Sequence, residues 1–499
     1  MLERAADSGD FVEAFLLPDS GAGDRLAVAD RTADGGEEQT YGDLARNSRR
    51  AAAGLAARGV MQGQRVVLAG TPGSSWLAAL LGILRRGAVA VPLDPGLAEA
   101  EMAPMVSASA PAAILGSDEM EALSVGEDRV AARADAVRGL DDVAMIVWTS
   151  GTAGAPKGVA LTFANIAYSV GQAMVAQQPS SDDRWLSVLP AHHLLELCCG
   201  LLPALASGGS VCFAHTLMPQ EIAGIIRERG ITKMVAVPLV LRLLEPAVAG
   251  SGLQTAYCGG APLDPAVVVR YAAQGIAVYQ GYGLTEAAPT VAMNTPAHHR
   301  AGSVGRPLTG TEVRITRAPG AGAGEILVRS PGVMRGYWRE DARSSGVVDA
   351  DGWLHTGDLG FVDEDDFLFV TGREKRLVVL ESGKKVQPEE VEAALAASDL
   401  FADVCVVGVV GVAGARRRLS PSEQVCAVVV PSPTMISRHG ELGTLQEAVT
   451  AEVARRTSSL SGYKRPSVVK VHDGPFPRTR KGTPRHAEVA RLVEKGYLN

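Results

Sequence analysis

The feature that most constrains the fold is an alternation of strand-length apolar runs with longer helical patterns. The clearest example is RVVLAG at 65–70, followed by SSWLAALLGILRR at 74–86 and AVAVPLDP at 88–95. Short apolar runs rich in β-branched residues predict buried strands, and the longer run between them has the length and spacing of a helix. Strand, helix and strand in this order are typical of a sheet wound with helices, so we predict an α/β fold.

The same alternation continues through the middle of the chain, where PQEIAGIIRERG is one of the helical stretches. The further strand candidates are AAIL (112–115), AMIVWTS (144–150), SVCFA (210–214), KMVAVP (233–238), QTAYCGG (254–260) and IAVYQGYG (276–283). After His299 the pattern changes to the short strands EVRITR, GEILVRS and DFLFVTG, separated by turn-forming residues. This change predicts a β-rich subdomain that completes the large domain.

The charge of the chain changes sign near residue 372. The whole chain has 48 basic and 55 acidic residues, which argues against a general nucleic-acid-binding protein. From Gly372 onwards there are 20 basic and 14 acidic residues. We therefore expect a large α/β domain at 1–371 and a small, mobile α+β domain at 372–499. The basic domain suggests a local anionic ligand, and solvated surface charge accounts for the count equally well.

Composition places the chain among ordinary globular proteins, because 46% of its 499 residues are hydrophobic and 21% are charged. The six cysteines form no CxxC pair, so we expect buried thiols. No apolar run approaches the ~18 residues that span a bilayer, and the first residues, MLERAADSGD, contain no secretory signal. We expect no integral membrane segment and a cytoplasmic location.

A segment rich in glycine and hydroxyl residues, TSGTAGAPKG at 149–158, follows the apolar run MIVW. Glycines let backbone N–H groups approach an anion, while hydroxyls and a lysine add donors and charge. The residues that would hold a polyphosphate are Thr149, Ser150, Gly151, Thr152, Gly154 and Lys157. The spacing differs from the G-x-x-x-x-G-K-[ST] loop of P-loop nucleotidases, which is excluded. Standing alone, the segment is equally consistent with an ordinary glycine-rich turn.

TSGTAGAPKG resembles the phosphate-binding signature of the adenylate-forming superfamily, which includes acyl-CoA synthetases, nonribosomal peptide adenylation domains and luciferases. Segments similar to other family signatures follow in the family's order: RRGAVAVPLDP (85–95), LPAHHLLE (189–196), YCGGAPL (257–263), QGYGLTE (280–286), WLHTGD (353–358) and GREK (372–375). The resemblance extends from about residue 40 to residue 485. VVLESGKKVQPEEVE (378–392) is more similar to the long-chain fatty acyl-CoA ligase branch than to amino-acid activators.

The resemblance implies an enzyme that couples a carboxylic acid to ATP, giving acyl-AMP and pyrophosphate, and then transfers the acyl group to CoA. It implies that Thr152 and Glu286 are catalytic and that Glu286 also binds Mg²⁺, for which a hard oxygen ligand is suitable. Asp358 would accept the ribose hydroxyls, and Arg373 would lie beside ribose and phosphate. The adenine and acyl segments would contribute Gly259, Gly260, Ala261, Gly281, Tyr282, Gly283 and Thr285.

The small domain is implied to swing about Lys375 between the two half-reactions. Gly383, Lys384 and Lys385 would then line the CoA channel. His193 matches the family's gate to the acyl pocket and is a catalytic candidate.

The acyl pocket itself is the least constrained part of the prediction. Its candidate wall residues are His193, Leu194, Val237, Pro238, Gly260 and Tyr279. None of them is acidic, which favours a hydrophobic acid over an amino acid. Fatty, aromatic and polycyclic natural-product acids remain open.

The C-terminal catalytic loop departs from the family pattern PRT-x-x-G-K. Here the loop is PRTRKGT (477–483), and the position of the family's catalytic lysine is Thr483. One hypothesis is that Lys481, two positions earlier, takes over that role. Another is that adenylation is crippled, since losing one preorganised donor typically costs ~10²- to 10³-fold in rate.

If adenylation is lost, the chain would transfer only a preformed acyl-AMP, made by a separate adenylating enzyme. Two alternatives from other classes also remain. One is a ligase that loads the phosphopantetheine thiol of a free-standing carrier protein. The other is a non-enzymatic protein that binds an acyl-adenylate.

Overall fold

The computed structural model describes eleven stretches of the chain, and the account below is confined to them. They are residues 10–17, 23–30, 37–125, 139–149, 156–316, 323–339, 346–373, 377–410, 423–439, 442–478 and 484–496. Several predicted site residues lie outside the described residues: Ser150, Gly151, Thr152, Gly154, Lys375, Lys481 and Thr483. The side chain of Arg373 is also outside the description, although its backbone ends a strand.

Two compact units divide the chain. One is built from the residues up to Gly372, and the other from Arg373 onwards, with the short segment Leu97–Glu101 counted with the second.

The first unit contains nineteen strands within the described ranges. They are β1 (Leu26–Asp30), β2 (Glu38–Thr40), β3 (Arg65–Leu68), β4 (Val89–Pro92), β5 (Ala113–Leu115), β6 (Val143–Thr149), β7 (Lys157–Thr162), β8 (Arg184–Ser187), β9 (Ser210–Phe213), β10 (Lys233–Ala236), β11 (Thr255–Cys258), β12 (Ala277–Gly283), β13 (Thr290–Met293), β14 (Arg306–Pro307), β15 (Glu312–Thr316), β16 (Gly324–Arg329), β17 (Gly336–Tyr337), β18 (Leu354–Val362) and β19 (Leu368–Arg373).

These strands form three sheets in the described part of the unit. A nine-stranded sheet has the order β14-β13-β12-β11-β10-β8-β9-β1-β2, and a six-stranded sheet has the order β17-β7-β6-β4-β3-β5. A four-stranded sheet, β15-β16-β18-β19, corresponds to the predicted β-rich part. The α/β prediction for the large domain is therefore confirmed.

Helices connect many of the strands of the two larger sheets. Their bounds are Tyr41–Ala57, Ser74–Arg85, Glu99–Ser109, Ser117–Val125, Phe163–Gln177, Leu194–Glu196, Leu202–Ala206, Pro219–Arg229, Pro238–Leu244 and Pro265–Ala272. π-helical turns span Val12–Leu16 and Leu197–Leu201, and a 3₁₀ turn spans Thr285–Ala287. None of the helices in the described ranges is both long and apolar enough to cross a bilayer.

The core of the first unit lies around the helix Ser74–Arg85. Trp76, Leu77, Leu80 and Leu81 of this helix are at most 1% exposed, so the helix is buried on several faces. Gly82 permits a close approach of the helix Tyr41–Ala57, since a Cβ at residue 82 would lie 2.6 Å from the Cβ of Ala51. Such a buried helix between strands explains why the sequence pattern at 74–86 is almost entirely apolar.

Strand direction in the nine-stranded sheet determines where the site can form. Strands β10, β11 and β12 run parallel, with Thr255 opposite Lys233 on one side and Ala277 on the other. Their carboxyl ends therefore meet at one edge, where ligands of α/β sheets usually bind. In the six-stranded sheet, β6 and β7 are antiparallel and place Thr149 opposite Lys157.

The second unit is the smaller α+β domain that the sequence predicts. Its strands are β20 (Val378–Val379), β21 (Lys385–Val386), β22 (Phe401–Val409), β23 (Gln424–Pro431) and β24 (Val468–Val471). Its helices are Pro388–Ala396, Pro433–Arg438, Leu442–Arg456 and His486–Glu494, with a 3₁₀ turn at Gly462–Lys464. Strands β22, β23 and β24 form a sheet, and the valines and other apolar side chains on its two faces pack in two buried clusters.

The helix that follows β7 begins with a reciprocal capping interaction. The Thr162 hydroxyl accepts from the Asn165 backbone N–H at 3.2 Å, and the Asn165 side chain accepts from the Thr162 N–H at 2.9 Å. Asn165 also donates to the carbonyls of Pro331 and Val333. This start of the helix is therefore tied to the segment that precedes β17.

We predict that Thr162→Ala lowers the free energy of unfolding by about 1 kcal/mol, the usual cost of losing an N-cap hydroxyl. The control is Thr162→Ser, which keeps the hydroxyl and should lose less than half as much. Chemical denaturation of the three proteins measures the difference. Equal losses in the two variants would show that packing of the threonine methyl group, and not the cap, matters at this position.

Candidate active site

The start of β7 and the turn after β12 are joined through one aromatic side chain. The Lys157 ammonium lies over the ring of Tyr337, 4.5 Å from its centroid. The Tyr337 hydroxyl donates to Oε1 of Glu286 at 3.1 Å. The structure thus brings Lys157 of the predicted phosphate loop and the predicted Mg²⁺ ligand Glu286 into contact with the same side chain.

Backbone pairing holds that ring in place. Tyr337 belongs to β17, which pairs with β7 so that Tyr337 lies opposite Val159. The Met334 N–H, three residues earlier, donates to the Glu286 carbonyl at 2.8 Å. The short segment 334–337 therefore fixes the Tyr337 ring relative to both β7 and Glu286.

A glycine in β12 is required where this strand passes the turn that follows it. A Cβ at Gly283 would lie 1.8 Å from the Pro289 carbonyl oxygen, so no other residue fits without moving the backbone. The Gly283 position is opposite Thr290 in the pairing of β12 with β13. This close contact explains the second glycine of the GYG sequence better than a need for backbone flexibility does.

The predicted ribose ligand lies beside the same strand. Asp358 of β18 is 2% exposed, and its Oδ2 accepts from the Tyr282 hydroxyl at 2.6 Å. Its backbone N–H donates to the Thr356 hydroxyl at 3.0 Å. Tyr282 and Asp358 were both predicted as nucleotide-binding residues, and the structure brings them into direct contact.

A cavity of about 60 Å³ lies at the carboxyl ends of β11 and β12. It is lined by Leu195, Cys199, Tyr257, Cys258, Gly259, Gly260, Gly281, Tyr282, Gly283, Pro289, Thr290 and Met293. Seven of these residues come from the YCGGAPL and QGYGLTE segments, and five of the seven are predicted site residues: Gly259, Gly260, Gly281, Tyr282 and Gly283. The glycines leave the backbone accessible, which suits a flat ring lying against it.

The remaining lining residues were not predicted. Leu195 and Cys199 are four residues apart and therefore share a helical face. The two residues come shortly after the predicted gate residue His193, so their helical spacing could have indicated that they line the cavity. Pro289 and Thr290 lie beyond the 3₁₀ turn, where the sequence offers no periodic pattern.

Of the six predicted acyl-wall residues only Gly260 lines this cavity, and the other five, including the buried Leu194, do not. His193 is exposed, with its ring 4.4 Å from that of His192, whereas Val237 and Pro238 are buried at the start of the helix Pro238–Leu244. Tyr279 lies one layer away, because its ring stacks at 5.9 Å on the lining residue Tyr257.

The other nucleotide and CoA candidates take ordinary backbone positions. Ala261 and Thr285 are half-buried, and Thr285 begins the 3₁₀ turn that carries Glu286. In the second unit, Gly383 has φ +76° in the turn between β20 and β21, and the Lys384 ammonium lies 4.3 Å from the centroid of the Tyr463 ring. Lys385 pairs with Val379 across the same hairpin.

The thiols at the cavity are protonated near neutral pH. Burial raises the pKa of Cys199 to about 11 and also raises the pKa of Cys258. All six cysteines are free and buried, as the sequence predicts. Because the thiolate is the reactive form, these side chains serve as lining groups and not as nucleophiles.

The chain is similar to known proteins along most of its length. A family model described as AMP-binding enzyme matches residues 19–338, and one described as AMP-binding enzyme C-terminal domain matches 375–495. The chain is 33% identical over 493 residues to a feruloyl-CoA synthase of Amycolatopsis sp, covering 92% of this chain and 94% of that protein. It is 30% identical to 4-coumarate–CoA ligase 5 of Oryza sativa subsp. japonica, covering 80% and 85%.

Three further comparisons extend the picture. An indoleacetate–CoA ligase of Aromatoleum aromaticum is 30% identical, with 91% of this chain and 93% of that protein covered. Among solved structures, a malonyl-CoA ligase complex with methylmalonyl-CoA and AMP matches at TM-score 0.72 and 29% identity, covering 93% and 99%. The o-succinylbenzoate CoA synthetase of Bacillus subtilis shares the fold at TM-score 0.80 and 23% identity, covering 99% and 98%.

Glu196, between the lining residues Leu195 and Cys199, gives the site a measurable pH response. Burial raises the pKa of Glu196 to about 8, against ~4.3 for an exposed glutamate. Between these values the unfolded chain loses the proton while the folded chain keeps it. The free energy of unfolding therefore falls as the pH rises through this range.

We predict that Glu196→Gln removes this pH dependence, because the amide does not titrate. The stability of the variant relative to the wild type should increase between about pH 4 and pH 8, by up to about 1.4 kcal/mol per pH unit. Chemical denaturation at several pH values measures it, with the exposed Glu221→Gln as the matched control. A difference that stays constant over this range would contradict the buried neutral carboxyl.

Proposed function

The chain belongs to the AMP-binding enzyme family and is an acyl-CoA ligase that uses ATP, Mg²⁺ and CoA, and on this premise we propose that its acid is aromatic. Three relatives support the choice, because they are named for feruloyl, 4-coumarate and indoleacetate substrates. Among the acids that the sequence left open, the fatty and polycyclic acids have no comparable support.

The observation that carries the proposal is that two tyrosines line the cavity. They are Tyr257 and Tyr282, and Tyr257 also stacks on Trp185 and on Tyr279, each at 5.9 Å. Aromatic pairs contribute about 0.5–1.5 kcal/mol beyond the area that they bury. A substrate ring that packed against Tyr282 or the edge of Tyr257 would gain this contribution, whereas a straight alkyl chain would gain only from burial.

Lys157 and Glu286, which both contact Tyr337, are proposed to act on the polyphosphate. The Lys157 ammonium would neutralise phosphate charge, together with the hydroxyls of Thr149 and Thr152. Glu286 supplies an oxygen donor of the kind that Mg²⁺ prefers, and its Tyr337 partner leaves the other carboxylate oxygen available to the ion. When bound, Mg²⁺ supplies charge stabilisation at the phosphates.

For the adenylation step we propose that Lys481 acts in place of the lysine that the family pattern has at position 483. A side chain two positions earlier starts about 7 Å away along an extended loop, which is close to the length of a lysine side chain. The remaining nucleotide candidates are present in the sequence. Since Lys481 can supply the missing lysine, we favour a complete ligase over a chain that only transfers a preformed acyl-AMP.

We also propose that the enzyme works in the cytoplasm. ATP and CoA are cytoplasmic substrates, and six free thiols are typical of a reducing compartment.

A panel of acids tests this function directly. The enzyme is given ATP, Mg²⁺ and CoA with either arylpropenoic and arylacetic acids or straight-chain acids of matched carbon number, and products are identified by mass spectrometry. We expect acyl-CoA from aromatic acids at a kcat/KM at least about tenfold above that for alkyl acids, which corresponds to about 1.4 kcal/mol. A preference for the alkyl acids would refute the proposed substrate class.

The same assay with Lys481→Ala examines the adenylation step. We expect acyl-CoA formation from ATP to fall about 10²- to 10³-fold, while transfer from synthetic acyl-AMP to CoA continues. Lys495→Ala, on the exposed end of the same domain, is the control and should change neither rate. A wild type that uses only preformed acyl-AMP would show that adenylation is lost in this chain.

Asp358→Asn should weaken AMP binding about 10- to 100-fold, since hydrogen bonds to a charged group contribute about 1.5–3 kcal/mol. Isothermal titration calorimetry with AMP measures the change. The control is Asp365→Asn, an exposed carboxylate on the same sheet that pairs with Arg300. Unchanged AMP affinity in Asp358→Asn would remove Asp358 from the nucleotide site.

A further inference from the structure

We propose that His486 and Glu392 position the C-terminal catalytic loop for adenylation, through a hydrogen bond between their side chains at the base of the loop. The inference rests on the proposed function, in which Lys481 of that loop acts in the first half-reaction. His486 and Glu392 are 94 positions apart in the sequence, and no family signature used above includes His486.

The two ends of the loop are joined in the second unit. Arg478 and Pro484 form an isolated antiparallel bridge, and the Arg485 backbone N–H donates to the Pro477 carbonyl at 2.7 Å. The Arg485 guanidinium also donates to the Arg478 carbonyl at 3.2 Å. Residues 477–478 and 484–485 therefore form a short stem on which the five intervening residues are carried.

His486 ties that stem to the body of the unit. Its Nδ1 lies 2.9 Å from the Pro484 carbonyl oxygen, and its Nε2 lies 2.7 Å from Oε1 of Glu392 on the helix Pro388–Ala396. The same carboxylate oxygen accepts from the backbone N–H of Val406 in β22 at 2.8 Å. His486 is 7% exposed, so these bonds are shielded from water.

Nδ1 of His486 faces a carbonyl oxygen, which can only accept, so a proton or a metal ion must lie between Nε2 and the Glu392 carboxylate. Cys405 lies close enough to complete a metal-binding triad, because one donor atom from each of the three residues lies within 4.8 Å of the others. Two ligands of a tetrahedral Zn²⁺ ion would be about 3.3 Å apart. The observed 2.7 Å instead fits a hydrogen bond, in which a proton joins the two side chains directly.

His486 therefore ties the strand that follows the loop to the body of the unit, with one hydrogen bond to the Pro484 carbonyl of the stem and one to Glu392. Arg478, on the other strand of the stem, pairs with Asp403 of β22. Loss of the His486 bonds would free the strand that directly follows the loop. Displacing a catalytic group by about 1 Å costs on the order of 10²-fold in rate, and only the half-reaction that uses this loop should suffer.

Two variants test the positioning role in the full-length enzyme. His486→Ala removes both bonds, while His486→Gln can replace one of them and guards against a failure to fold. His439→Ala, at the end of the helix Pro433–Arg438 in the same unit, is the matched control. The measurements are pyrophosphate release from ATP and acid, thioester formation from synthetic acyl-AMP and CoA, and hydrogen exchange of the Arg485 amide.

For His486→Ala we expect a 10- to 100-fold lower kcat of adenylation, thioester formation within about twofold of the wild type, and at least tenfold faster exchange at Arg485. His486→Gln should fall between, and His439→Ala should match the wild type. Treatment of the wild type with a zinc chelator should leave all three readouts unchanged.

Equal losses in both half-reactions would show a merely structural role and overturn the proposal, as would unchanged exchange at Arg485. A loss of activity on chelation would replace the proton with a metal ion and also overturn it. If the wild type does not adenylate, the proposed Lys481 chemistry fails. Faster exchange at Arg485 in His486→Ala would then still support the role of His486 in holding the stem, because exchange does not depend on turnover.

Discussion

The candidate active site depends on the Tyr337 side chain, which contacts both Lys157 and Glu286. The ring accepts the ammonium on its face, and the hydroxyl donates to the carboxylate. A direct ion pair would instead leave little free charge for a polyphosphate or a metal ion, since two unit charges 4 Å apart gain about 4 kcal/mol at an effective dielectric constant of 20.

That arrangement is a consequence of strand order. Strand β17 lies at the edge of the six-stranded sheet beside β7, and the segment before it binds the backbone at Glu286. Glu286 in turn follows β12, whose close approach to the Pro289 carbonyl requires glycine at residue 283. The contacts of Tyr337 with Lys157 and Glu286, which come from two different sheets of the first unit, therefore need only short-range backbone contacts to be assembled.

Much of this could be predicted from the sequence, because glycine spacing and apolar periodicity report local backbone requirements. The features predicted in this way are the α/β class, the helix at 74–86 and the contact of the predicted nucleotide segments around Tyr282. The Tyr337 ring and the His486–Glu392 pair could not be predicted, because each joins residues that are distant in the chain and lack periodic signals. The lining of the cavity was only partly predicted, since Leu195 and Cys199 share a helical face that the gate motif does not specify.

A crystal structure of the enzyme with Mg²⁺ and a non-hydrolysable ATP analogue tests the central claim most directly. The account predicts that Glu286 ligates the ion and Lys157 contacts the phosphates, while the Tyr337 side chain keeps its contacts with both residues. A direct ion pair between Lys157 and Glu286, with the nucleotide bound elsewhere, would contradict it.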